Sequence, residues 1–220
     1  MRKPPAAPDR EQSRPEEITN SLSHGLGGLA ALIGAPLLIR HAARHGDPWF
    51  MIGASVFVAT IILLYLASTL YHALPTGKAK RLFRHIEHSA IFLLIAGTYT
   101  PLMLGVLRGA WGWSLLGIIW AIAGVGVILR IFEKVSFSAP KLATGLYLLM
   151  GWVIVVAIVP LSELMPTAGL IWLVAGGLAY TAGVVFYVTD ARLRYGHLVW
   201  HLFVMAGTAC HYFAVFRSVG

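Results

Sequence analysis

The sequence predicts an all-α integral membrane protein, a bundle of seven transmembrane helices. Three observations carry that reading. Of the 220 residues, 58% are hydrophobic and 12% charged, against about 45–50% and about 25% in a soluble domain. Mean hydropathy is +0.75, more apolar side chain than a soluble domain of this size has interior to hide. The apolar residues also fall into seven runs, each approaching or exceeding the ~20 residues that cross ~30 Å of hydrocarbon. The composition excludes intrinsic disorder, and Cys210, the single cysteine, excludes a disulfide scaffold.

Taken in order, residues 1–17 mix acids and bases with Pro4, Pro5, Pro8 and Pro15 and present no apolar face. They are expected to be a disordered cytoplasmic tail. Their acidic residues argue against the n-region of a signal peptide. Residues 18–220 form the transmembrane domain, with spans expected at about 22–39, 49–74, 89–107, 111–129, 142–161, 168–189 and 197–216. The first run is short and glycine-rich. Pro101 is expected to kink the third. The runs are too long and too uniformly apolar for barrel strands, so helices are the expected form. Gly105 and Gly109 make a GxxxG pattern that reads as ordinary helix packing. No internal repeat is evident, which argues against transporter folds built from repeats.

The net charge is +8. In a soluble chain that would suggest nucleic acid. Here the positions of the charges matter more. With the N-terminus inside, the inner segments carry Arg2, Lys3, Arg10, Arg14, Lys78, Lys80, Arg81, Arg84, Arg130, Lys134, Lys141, Arg192 and Arg194. The outer segments carry Arg40, Arg44, Arg108 and Arg217. This asymmetry favours a cytoplasmic N-terminus and an outside C-terminus. No basic groove or aromatic platform accompanies the charge, so no nucleic-acid partner is expected. Trp49, Trp111 and Trp113 read as interfacial belts.

Ionisable residues at membrane depth are costly and mark functional sites. Ser68 and His72 share one face near the inner end of the second span. Glu87 starts the third span from the same side, and His197 and His201, four residues apart, start the seventh. Glu17, Asn20 and His24 enter the first span on one face, at i, i+3 and i+7. Topology alone brings all of them to the inner leaflet. Two histidines at i and i+4 present imidazoles to one metal ion. Adding His72 makes three protein ligands, the pattern of catalytic rather than structural zinc. Glu87 can hold the activated water as general base, and Ser68, one turn deeper, can donate a hydrogen bond to a substrate carbonyl or to the water. Asp190 reads as a cap or a partner of Arg192 or Arg194. His41 and His45 fall in an outer loop, His88 points away from Glu87, and His211, nearer the outer face, stands outside the metal set.

These motifs together resemble the haemolysin III proteins, the bacterial branch of the progestin and adipoQ receptor superfamily. The resemblance covers about residues 16–216. It rests on Glu17-Ile-Thr-Asn20-Ser-Leu-Ser-His24, Ser68-Thr-Leu-Tyr-His72, His85-Ile-Glu87-His88 leading into Leu93-Leu-Ile-Ala-Gly-Thr-Tyr-Thr-Pro101, and Gly196-His197-Leu-Val-Trp-His201. It implies zinc bound by His72, His197 and His201 near the cytoplasmic face of a bacterial inner membrane. The family's water-holding carboxylate is usually aspartate. Glu87 stands in that place, and its extra methylene can bring it close enough to ligate the metal itself. Ser68 matches the family's serine, while Glu17, Asn20 and His24 match a further motif of unassigned role. The superfamily is similar to membrane hydrolases that cleave lipid amides.

The expected function is therefore a zinc-dependent intramembrane hydrolase of lipid amides or esters with a role in membrane lipid homeostasis, its partner a membrane lipid. A receptor-like or regulatory protein with structural zinc is the alternative, followed by a pore-forming cytolysin and a bis-histidine haem protein. No span carries the regular polar stripe of a channel lining.

Overall fold

The computed structural model describes residues 11–131 and 140–219. Residues 1–10 of the expected tail, and Lys134, lie outside them. Among the described residues the fold is all helical, and seven helices are long and apolar enough to cross a membrane. The protein is a multi-pass membrane protein.

Helix α1 runs Arg14–His45, longer at both ends than the span expected at 22–39. Its start is fixed by Glu16, whose carboxylate takes both the backbone N–H of Ser13 (2.9 Å) and its hydroxyl (2.7 Å). Pro15 lies in the first turn, where a missing N–H costs nothing. Arg14–Glu17 are therefore helical rather than part of a tail. The helix has its polar side inward: Asn20, Ser23, His24 and Gly27 are buried, while Leu22, Leu26, Leu29, Ile33 and Leu37 face outward. That arrangement suits lipid, where an outward leucine is solvated and an outward histidine is not.

Asp47 caps α2 (Pro48–Ala73) by accepting from the Trp49 backbone N–H at 2.9 Å. Helix α3 (Lys78–Pro101) is the most enclosed, with 72% of its apolar stretch buried against 22% for α1. At Pro101 the winding changes from α to a π-helical turn over Leu102–Val106. Proline cannot donate to the carbonyl four residues back, and π turns commonly absorb such breaks. Gly53 lets α2 press on this turn, since a Cβ there would lie 2.5 Å from Pro101 Cα. Gly105 of the GxxxG pattern meets Phe50 in the same way, and Gly109 sits in a left-handed turn (φ 101°).

Helix α4 spans Ala110–Ile131. The fifth span, expected as one helix, is broken: α5 (Pro140–Trp152), a 3-10 segment (Val153–Ala157) and α6 (Ile158–Leu164). Tyr99 serves the groups freed by the break. Its hydroxyl donates to the Met150 carbonyl (2.7 Å) and accepts from the Ile154 N–H (2.8 Å). Helices α7 (Thr167–Thr189) and α8 (Gly196–Phe216) pack as a pair, and α8 closes onto α1. That closure places the starts of α1, α3 and α8 beside the end of α2, which makes one histidine-rich end of the bundle.

Candidate metal centre

The three expected ligands converge. His72, His197 and His201 each offer one ligand atom, and these atoms lie within 4.8 Å of one another. His72 and His201 are buried and His197 is half-buried. Each ring has its Nδ1 engaged by a different group. His72 Nδ1 meets Glu17 Oε2 at 2.8 Å. His197 Nδ1 meets Asp190 Oδ2 at 2.8 Å. His201 Nδ1 lies 3.0 Å from Ser23 Oγ and 3.2 Å from the Asn20 carbonyl. A carboxylate or carbonyl on Nδ1 fixes the tautomer with its lone pair on Nε2, the arrangement that metal-ligating histidines use. Nε2 of each ring is thus left for a metal, and His72 Nε2 is buried with no hydrogen-bond partner. An imidazole buried in this way needs an ion, a water or a ligand. The donor set fits zinc.

Glu87 is buried in the first half of α3, with Oε1 3.8 Å from His72 Nε2. It also belongs to a second converging group with His24 and His201, again within 4.8 Å. His24 stacks on His201 with ring centroids 3.5 Å apart and planes 4° from parallel. Its Nδ1 is 2.7 Å from Ser68 Oγ, and its Nε2 has no partner. Ser68 is fully buried and spends its hydroxyl on His24. His24, like Glu87, lines the adjoining cavity.

Two spaces meet at these residues. One is an apolar cavity of about 160 Å³ with His24 and Glu87 at one end, running between α3, the fifth span, α7 and α8 as far as Leu102 and His211. Glu87 to Leu102 is fifteen residues along the third span, about 22 Å at 1.5 Å per residue. The other is a polar cleft of about 810 Å³, lined by Gln12, Glu17, Ser21, His72, Thr76 and Lys80. Lys80 Nζ binds Glu17 Oε2 at 3.0 Å and also caps the end of α2 through the Tyr71 carbonyl.

The motif of unassigned role thus has one in the geometry: Glu17 holds the His72 ring, Asn20 holds the His201 ring, and His24 stacks on that same His201. Asp190 stands at the C-cap of α7, one of its two expected roles, and its carboxylate binds His197 rather than Arg192 or Arg194. The cause is local. Tyr195 adopts a left-handed conformation (φ 58°), and Gly196 packs so tightly that a Cβ would sit 3.1 Å from Asp190 Cα. The turn therefore folds Asp190 over the start of α8. Residue types alone did not single out Ser23 or Glu16. Glu16 links the starts of α1 and α8 by accepting from the Tyr195 N–H at 2.8 Å. Its position three residues after Ser13, as in a capping box, was the one available signal.

The family model described as Haemolysin-III related matches residues 12–212. A Bacillus cereus protein called Hemolysin-3 is 44% identical over 200 residues, covering 91% of this chain and 90% of the relative. The Hemolysin-3 homolog of Bacillus subtilis is 40% identical, covering 91% and 92%. The human monocyte to macrophage differentiation factor is 28% identical over 211 residues, covering 92% and 84%. No solved structure matches.

Proposed function

The chain belongs to the haemolysin-III related family of the progestin and adipoQ receptor superfamily, and on that premise we propose that it is a zinc-dependent intramembrane hydrolase of lipid amides or esters, set in the bacterial inner membrane with its histidine end facing the cytoplasm. The reading rests on one observation above the others. Three rings converge with each Nδ1 engaged, beside a buried carboxylate, at the head of a long apolar cavity.

His72, His197 and His201 would hold the zinc, which supplies Lewis acidity toward an acyl carbonyl and toward water. The protein's own residues do the rest. The apolar lining of α3, α7 and α8 takes the acyl chain and excludes water from it. Glu87, at the cavity's head, takes the proton of the attacking water on its carboxylate and returns it to the leaving amine or alkoxide. His24 faces the reacting end of the chain through Nε2, and Ser68 is a positioning residue that fixes the His24 ring. The polar cleft beside Glu17 and Lys80 gives the released head group a route to water.

A second reading, structural zinc in a regulatory protein, is favoured by the 3.8 Å approach of Glu87 to His72, since a fourth protein ligand closes a zinc site. Purified protein decides between them. Stoichiometric zinc with turnover of a long-chain lipid amide, both lost in His201→Ala, is the expected result. Zinc without turnover favours the structural reading, and equal turnover by the variant overturns the hydrolase.

A further inference from the structure

At the far end of the cavity stands a polar group that this chemistry leaves unused. His211 lies on α8 ten residues beyond His201, about 15 Å along the helix axis. It is 9% exposed, and it lines the same apolar cavity as Glu87. Its Nε2 is 3.2 Å from the Leu173 carbonyl of α7. A carbonyl can only accept, so Nε2 carries the proton and Nδ1 carries a lone pair. That Nδ1 is buried and has no hydrogen-bond partner.

The ring is packed on both sides. It lies flush on Gly176, where a Cβ would be 2.2 Å from His211 Cδ2, and Tyr180 flanks it with ring centroids 5.4 Å apart. The neighbouring hydroxyls are already committed: Tyr180 to Thr208 at 2.7 Å, and Thr181 to the Gly177 carbonyl at 2.7 Å. What remains is an unsatisfied acceptor on a ring that lines an apolar chamber. Leaving such an acceptor unpaired is costly, so a ligand that brings a donor gains affinity over one that does not.

We infer that His211 Nδ1 is a specificity point that accepts a hydrogen bond from a hydroxyl carried part-way along the lipid chain, and so selects mid-chain hydroxylated acyl groups. This rests on the reading that the cavity holds an acyl chain. It adds a requirement on that chain, distant from the carbonyl that reacts.

The test is equilibrium binding to the purified, zinc-loaded protein in detergent, with octadecanoic acid and 12-hydroxyoctadecanoic acid as probes. Wild type is expected to bind the hydroxy acid about tenfold more tightly, the worth of one hydrogen bond of ~1.4 kcal/mol. His211→Leu is expected to bind both acids equally while keeping its zinc. His211→Asn, whose amide oxygen restores an acceptor, is expected to recover the preference. A merely structural histidine would give no such pattern. Equal binding of the two acids by wild type, or a preference that persists in His211→Leu, overturns the inference. Either result with amide turnover intact leaves the hydrolase reading standing. A preference without turnover sinks only the hydrolase. Failure of both acids to bind overturns the inference together with the acyl-chain cavity.

Discussion

The two ends of the bundle group their polar residues differently. At the histidine end, each ring is held at Nδ1, and Nε2 of His24 and of His72 is buried with no hydrogen-bond partner. At the opposite end, Asp47 and Arg108 pair with each other near the surface. His41 there has an unpartnered Nε2, but it stacks on Phe216, and both groups of converging ligand side chains lie at the other end. The lesson is that burial alone does not mark a site. Convergence of several such rings on one point does.

Removing His201 should break that comparison most severely, because it belongs to both converging groups. In His201→Ala the zinc affinity is expected to fall beyond the ~100-fold reached by changes behind the ligands, read by competition with a chromophoric chelator. Asp47→Asn, at the other end, is expected to leave that affinity unchanged. A loss of equal size in the two variants would mean that zinc binding reports only on folding.

Sharpening comes next from the groups behind the ligands. Asp190→Asn and Glu17→Gln remove the charge on the Nδ1 of His197 and His72. Each is expected to weaken zinc by about 10–100-fold with the helix content unchanged. Glu17 also holds Lys80, so Lys80→Met serves as the control that separates loss of the cleft's ion pair from loss of the histidine's partner. Wild-type affinity in Asp190→Asn would return Asp190 to a merely local turn role.

The opposite half of the bundle is expected to answer in stability rather than in metal. In Gly53→Ala the new methyl meets the backbone of Pro101 at 2.5 Å, and backbone cannot move aside as a side chain can. Overpacking of this kind costs about 1–3 kcal/mol. A lower Tm in detergent with full zinc stoichiometry is expected, and zinc loss at the original Tm would contradict it.

These contrasts also explain what was legible in the sequence. Seven spans could be read because hydrocarbon thickness sets their length. His197 and His201 could be paired because four residues make about one helical turn. His72 and Glu87 could be brought to the same end by counting crossings. Contacts between the helices could not be read in this way. The hold of Glu17 on His72 spans 55 residues of chain, and that of Ser23 on His201 spans 178. Both depend on how α1 rotates as it packs between α2 and α8. Asp190 caps the end of α7 as expected, but its contact with His197 could not be read, because a left-handed Tyr195 reverses the chain over it and a tyrosine gives no such signal in sequence. The break in the fifth span was hidden for a similar reason, since the hydroxyl that serves it comes from Tyr99 on another helix.

The smallest expected effect is the pH response of the opposite end. Burial pushes the Asp47 carboxyl up, but the Trp49 backbone N–H and the Arg108 guanidinium outweigh it and hold the group below its ordinary value. A carboxylate lowered on folding contributes stability that is present above its unfolded pKa of about 3.9 and is lost as the pH falls through the folded value. For a pair this exposed the contribution is about 0.2–1 kcal/mol and fades with salt. Wild type is therefore expected to lose slightly more Tm than Asp47→Ala between pH 6 and pH 3, with the gap closing at high ionic strength. A gap that survives high salt would mean that the cap on Trp49, rather than the charge pair with Arg108, carries the effect. Arg108→Gln would then leave the response to pH in place.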